Sequence, residues 1–325
     1  MFNRLFSSGL AALATIPLAL GEVSAWPERT VKFVTPGAAG THTDAIARLI
    51  ADALSRKWGQ PVVVENQPGA DGILAVRSFV GAKDGHTLLY SFNSIITVNP
   101  ALHENLPYDP LRDLVPIARV VDDFIAIVAS PQSGIATLGA LEQAMRARPN
   151  ELSYASFPGS PYVVFQIFQK QVGADLTFVP YRAMSGALTD LMQNRIQIGV
   201  LSLALVRELA RSGKLNVLAL ASRERAPAEP TIPTAAELGR GELLVLGGHG
   251  IYAHDAMPAP LRDRIAQDVL EALADPALAA RIAELGFILR PEAPTAYRAF
   301  LASETQRMQA LIHGLGATVH APNAR

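Results

Sequence analysis

Apolar residues along the chain recur at two spacings that take turns. Val31, Phe33 and Val34 suit a short buried strand running to Thr35. Pro36, Gly37 and Gly40 break that pattern. From there Ile46, Leu49, Ile50, Ala53 and Leu54 fall at helical intervals up to Trp58. The same exchange follows at once: a strand over Pro61–Glu65, a loop over Asn66–Gly72, a helix over Ile73–Lys83 and a strand over Thr87–Tyr90. The stretch Asn99–Pro110 is proline-rich and predicts a connection without regular structure.

A second alternating series begins at the strand Phe124–Ala129. Helices are predicted over Leu138–Arg148, Pro161–Val172, Ser185–Asn194 and Leu203–Ser212, with strands over Leu152–Ala155, Leu176–Val179, Ile196–Leu201 and Asn216–Ala221. Arg223–Pro233 reads as a proline-rich surface segment, and Leu243–Tyr252 as one long apolar strand. The remainder predicts helices over Leu261–Leu273, Pro276–Leu285 and Tyr297–Ile312, with a short strand over Phe287–Arg290. Strand–helix alternation of this kind gives parallel, helix-covered sheets. The expected fold is α/β, with two doubly wound lobes. One lobe takes residues 26–124 and 252–325, the other 125–251. Two crossings, near Phe124–Ser130 and Leu246–His254, form a hinge between them.

Composition narrows the function. The chain has 325 residues, half of them hydrophobic, and a net charge of −1 from 28 basic and 29 acidic residues. No basic stripe marks a nucleic-acid surface. With no cysteine, disulfides, thiolate metal sites and cysteine nucleophiles are excluded. Residues 1–25 read as a cleavable signal peptide: Arg4 before the apolar run Leu10–Leu20, then Val23-Ser-Ala25 as the cleavage site. Pro17 interrupts the run, which is short for a bilayer span. The expected location is therefore the periplasm.

The turn Pro36–Thr43 is the first candidate site. A helix starting at the carboxyl end of a strand aims unpaired N–H groups and a partial positive charge at the turn, which suits an anion. Thr41 followed by Asp44 resembles a capping box with Asp in place of Glu. Asn93 and Ser94, after the third strand, leave at the same sheet edge if the strands are parallel, where ligands of such sheets lie. Ordinary turn chemistry explains them equally well. HExxH, G-x-S-x-G and Walker patterns are absent, and no dinucleotide fingerprint is complete. His249 and His254 fall on opposite faces of the predicted strand. No catalytic constellation, metal site or cofactor is expected.

Several ordered motifs carry a family resemblance. They are Thr35-Pro-Gly-Ala-Ala-Gly-Thr-His-Thr-Asp-Ala-Ile-Ala-Arg48, Gln60-Pro-Val-Val-Val-Glu-Asn-Gln-Pro-Gly-Ala-Asp-Gly72, Asp84-Gly-His-Thr-Leu-Leu89 and Leu106-Pro-Tyr-Asp-Pro110. Ser153-Tyr-Ala-Ser156, Val179-Pro-Tyr181 and Ala187-Leu-Thr-Asp-Leu191 follow in the same order. Together they resemble the Bug-type receptors, the extracytoplasmic solute-binding proteins of tripartite tricarboxylate transporters.

The resemblance implies a two-lobed periplasmic receptor that closes on a small organic acid, without enzymatic activity. It also implies a monomer that serves transporter membrane subunits or a sensor kinase. Carried over by position, the first-lobe contacts are Ala38, Ala39, Gly40, Thr41, His42, Thr43 and Asp44, with Asn93 and Ser94. The second-lobe contacts are Ser156, Gly159, Ser160 and Tyr181. Pro161 at a first helical position would place a second helix N-terminus across the cleft.

The chain departs from the family pattern at Thr41, in the shortened Ser156-Phe-Pro-Gly-Ser160 loop, and at Leu201-Ser202, which replaces a frequent Asp-Asn pair. Phe157 and Leu201 point to a ligand with an apolar distal part and no amino group; Phe157 reads equally as a core side chain. Arg182 could pair a second carboxylate, against the alternative of an exposed arginine. His42 could donate to a carboxylate and make binding pH-dependent, and reads equally as a solvent-facing loop histidine. Two other readings stand beside the receptor: a periplasmic enzyme of organic acids using His42 or Asp44 as base, and a receptor-derived sensor or interaction module.

Overall fold

The computed structural model describes residues 26–315 apart from 182, 183 and 246. The signal-peptide expectation for residues 1–25 lies outside the described residues, as does Arg182. In chain order the first half comprises β1 (Val31–Thr35), α1 (His42–Trp58), β2 (Val62–Asn66), α2 (Ile73–Gly81) and β3 (Thr87–Phe92). The short helices α3 (Ser94–Thr97) and α4 (Asn99–Leu102) follow, then β4 (Val115–Asp123). The connection expected to lack structure at Asn99 thus opens with a helical turn, in whose first turn Pro100 is tolerated because no N–H is needed there.

The chain then builds β5 (Ile125–Ala129), α5 (Leu138–Ala147), β6 (Ser153–Ser156), α6 (Ser160–Val172), β7 (Thr177–Phe178), α7 (Met184–Met192), β8 (Ile198–Ser202), α8 (Leu203–Arg211) and β9 (Asn216–Leu220). It ends with β10 (His249–Ala253), α9 (Ala259–Leu273), α10 (Pro276–Glu284), β11 (Phe287–Glu292) and α11 (Pro294–Leu315).

The strands form two sheets, which give the molecule its two-lobed α/β fold. One has six strands in the order β11-β4-β10-β3-β1-β2, the other five in the order β7-β6-β8-β5-β9. β1 runs parallel to β2 and β3, and β6 runs parallel to β7 and β8. β10, β4 and β5 pair antiparallel with their neighbours, so each sheet is mixed. The chain passes from the first sheet to the second between Asp123 and Ile125 and is back in the first at His249. Leu243–Tyr252 is not one strand. A 3-10 turn occupies Gly241–Leu243, and β10 starts only after Gly248. At φ +139 Gly248 passes so close to the Val121 carbonyl that a Cβ would overlap it, which ends the extended run.

Each sheet buries its own core. Phe33, Ile46, Ile50, Leu88 and Ile251 pack together beneath α1 and α9, and Val34, Phe79, Leu89, Tyr252 and Tyr297 fill the opposite face. Tyr154, Phe165, Phe168, Ile127 and Val200 form the core of the second sheet. α11 belongs to both: Tyr297 and Leu301 lie in the first sheet's core, while Met308 and Ile312 join the second's. Among the described residues, no helix is long and apolar enough to cross a membrane.

Candidate ligand site

Three loops gather at the carboxyl ends of the parallel strands of the first sheet. The loop after β1 is tied to the loop after β2, because Gln67 N–H donates to the Thr35 carbonyl at 2.8 Å and Asn66 Nδ2 to the Gly37 carbonyl at 2.7 Å. Pro36 and Ile95 both pack against Gly72, which draws in the loop after β3. Ala38, Ala39, Gly40 and Thr41 are exposed at the tip, while His42 and Thr43 are half-buried.

Asp44 is the buried centre of this arrangement. Its carboxylate accepts from Gly40 N–H (2.9 Å) and from Asn66 Nδ2 (2.8 Å), and it pairs with Arg48 (3.0 Å). Burial alone would raise its pKa, but the Arg48, Asn66 and Gly40 bonds outweigh that and hold it below the ordinary carboxylate value. A carboxylate in that state is a poor general base. Thr41 caps α1 by accepting from Asp44 N–H at 3.4 Å, and its own hydroxyl donates to the Ala38 carbonyl at 2.7 Å.

The second lobe faces this group with the start of α6. Gly159 has φ +76 and no side chain caps the helix. Gly159 and Ser160 are buried, and a Cβ on Gly159 would lie 3.1 Å from the Ser94 Cβ and 3.3 Å from its Oγ. The two lobes therefore meet where Ser94 of one touches Gly159 of the other. Buried Ser156 donates its hydroxyl to the Phe157 carbonyl at 2.8 Å. Phe157 is only partly buried, packed against the apolar cluster of Leu191, Ile196 and Val206.

Other candidates are engaged elsewhere. Leu201 is fully buried in that same cluster. The Tyr181 hydroxyl donates to Asp190 at 2.6 Å; burial and the neighbouring carboxylate push it up to about 12. His42 is lowered by burial and by the positive charge of Arg207 on α8. His249 donates or accepts with the Tyr90 hydroxyl at 2.8 Å, and burial drives it down to about 3. His254 lies past the end of β10 and pairs with Asp255 at 2.6 Å. Among the described residues, no group of three or more His, Asp or Glu side chains could hold a metal.

Sequence reading missed three residues at the seam. Asp123, at the end of β4, accepts from the Ser202 hydroxyl of β8 at 2.8 Å; burial and nearby Asp122 push it up to about 7 despite that bond. Tyr252 and Tyr297 both reach Asn93. No local spacing pairs residues so far apart in sequence. The one available sign was a tyrosine on the apolar face of the last helix. A groove of about 330 Å³ beside α8, lined by Leu203, Arg207, Arg211, Asn216 and Glu229, includes none of the candidate loops.

The profile of the family described as "Tripartite tricarboxylate transporter family receptor" matches residues 46–317. "Protein BugT" of Bordetella pertussis is 31% identical over 296 residues, covering 90% of this chain and 91% of that one. Two solved structures superpose over most of the chain. "Periplasmic binding protein BugD" is 28% identical with a TM-score of 0.81, covering 91% of this chain and 99% of its own. "MatC" from Rhodopseudomonas palustris, with bound malate, is 28% identical with a TM-score of 0.79, covering 88% of this chain and 100% of its own.

Proposed function

The chain belongs to the tripartite tricarboxylate transporter receptor family, and from that premise we propose that it captures a small organic carboxylate between its lobes in the periplasm. It would be exported by residues 1–25, taken as a cleaved leader, and would present its ligand to membrane subunits of a transporter as a monomer. The lobes would be residues 26–124 with 249–315, and residues 125–248, the return crossing falling where β10 joins the first sheet.

The observation that carries this reading is the meeting of Ser94 with Gly159 at the uncapped start of α6. N–H groups of a helix's first turn lack intrahelical partners and carry partial positive charge, so they suit a carboxylate without a fixed cation. Neutral donors release their guest more readily than a buried arginine would, as delivery requires. A ligand touching both lobes binds the closed form better and drives closure by that difference. That MatC holds malate supports a dicarboxylate of similar size. Thermal denaturation of the purified protein with malonate, malate, glutarate and adipate tests the reading. A probe at a hundredfold excess over Kd should raise Tm by about 5 °C. No shift with any of them overturns it.

A further inference from the structure

Asn93 is 2% exposed and sits at the lobe seam, immediately before Ser94. Its own N–H donates to the Gly248 carbonyl at 3.0 Å, fixing the backbone against the returning chain. Its side chain is held at one end only. Oδ1 accepts from the Tyr297 hydroxyl at 2.6 Å, with the Tyr252 hydroxyl 3.4 Å away, and the two hydroxyls bond each other. Nδ2 is buried with no partner among the described residues. A buried amide that makes half its bonds is unusual, and the unmade half marks where a partner belongs.

The two phenols hold the amide by its oxygen. Each has one proton. Tyr252 donates to Tyr297, and Tyr297 donates to Oδ1. With the Tyr297 proton committed to Oδ1, the bond between the two hydroxyls is completed by the Tyr252 proton, and the amide N–H groups face away from both phenols. The Tyr297 hydroxyl reaches this spot only because residue 250 is glycine; a Cβ there would overlap it. Both tyrosines are fully buried, so the relay has little freedom to reorient.

We propose that Tyr297, backed by Tyr252, is a positioning residue that turns the two N–H donors of Asn93 toward the ligand carboxylate. The inference rests on the carboxylate reading above. It gives α11 a part in recognition without contact to the ligand. Because the same helix packs against α6 and its Gly314 carbonyl accepts from Lys170 at 2.6 Å, the orienting group is carried by an element that spans both lobes.

The test is a double-mutant cycle read by calorimetry, using whichever of malonate, malate, glutarate or adipate binds the wild type best. Tyr297→Phe should weaken binding about threefold to tenfold, the worth of one hydrogen bond, and Asn93→Ala should weaken it further. The double variant should bind like Asn93→Ala alone, since the phenol acts only through the amide. Should Tyr297→Phe fail to fold, Tyr252→Phe replaces it, with a smaller loss and the same non-additivity. Additive losses, or a Tyr variant that folds and binds like the wild type, overturn the inference and leave the carboxylate reading standing. A wild type that binds none of the four overturns both.

Discussion

The two helix starts offered as anion cradles differ in how completely they satisfy themselves. At α1, Thr41 supplies a cap and Asp44 folds its carboxylate back onto Gly40, Asn66 and Arg48, so this turn already holds an anion of its own. At α6, a glycine precedes the helix, a proline follows Ser160, and no side chain caps the first turn. One N-terminus is closed by a resident carboxylate; the other has no side chain closing it. The dipole argument is identical at both, so the difference lies in the side chains. On the carboxylate reading proposed above, α1 would then serve mainly as scaffold and α6 mainly in recognition.

The largest expected effect tests the scaffold half. Asp44→Ala removes a buried carboxylate that accepts from Gly40, Asn66 and Arg48, and should cost about 2 kcal/mol of stability by denaturant melts. The Asp44 pKa is lowered from 3.8 in the folded state. As pH falls through 3.8 the unfolded chain takes up the proton first, so its stabilisation is present above that pH and lost below it. The variant should show a flatter loss of stability on acidification over that range. Where it still folds, its affinity should stay near the wild type. If affinity collapses while stability holds, the assignment of the two turns is reversed.

Much of this was open to reading from the chain itself. The strand, turn and helix of 31–58 follow from a change of period that needs no tertiary partner, and Pro161 announced the start of α6 one residue out. Local chemistry also predicted the cap at Thr41. What could not be read depends on contacts between distant segments. Gly248 breaks the predicted long strand because the Val121 carbonyl lies against it, and nothing near residue 248 records that. The sequence makes Leu201 a candidate ligand contact, but the face of β8 it occupies is set by packing against α7 and α8. The bond from Tyr297 to Asn93 joins residues 204 apart.

The recognition half is tested by Gly159→Ala. At φ +76 and ψ −138 the backbone lies where only glycine is at ease. The new methyl would press on Ser94 at 3.1 Å, so the contact between the lobes must give by a few tenths of an ångström. Affinity for the best-binding dicarboxylate should fall at least about tenfold, or ~1.4 kcal/mol, with a stability cost of about 1–2 kcal/mol from backbone strain. Calorimetry beside a melting curve separates the two. Wild-type affinity in a folded Gly159→Ala protein would mean the ligand does not need this contact.

The smallest effect is the sharpest discriminator, because it touches α1 without disturbing its carboxylate. Thr41 is exposed, and its bond to Asp44 N–H is long at 3.4 Å. Thr41→Ala should therefore lose only about 0.5 kcal/mol, the low end for an N-cap. Gly40, Asn66 and Arg48 would continue to hold Asp44, so the turn should keep its shape. If the turn is scaffold, dicarboxylate affinity changes by less than about twofold, which calorimetry resolves. A tenfold loss at unchanged stability would instead place the Thr41 hydroxyl on the ligand, and α1 would share recognition with α6 on equal terms.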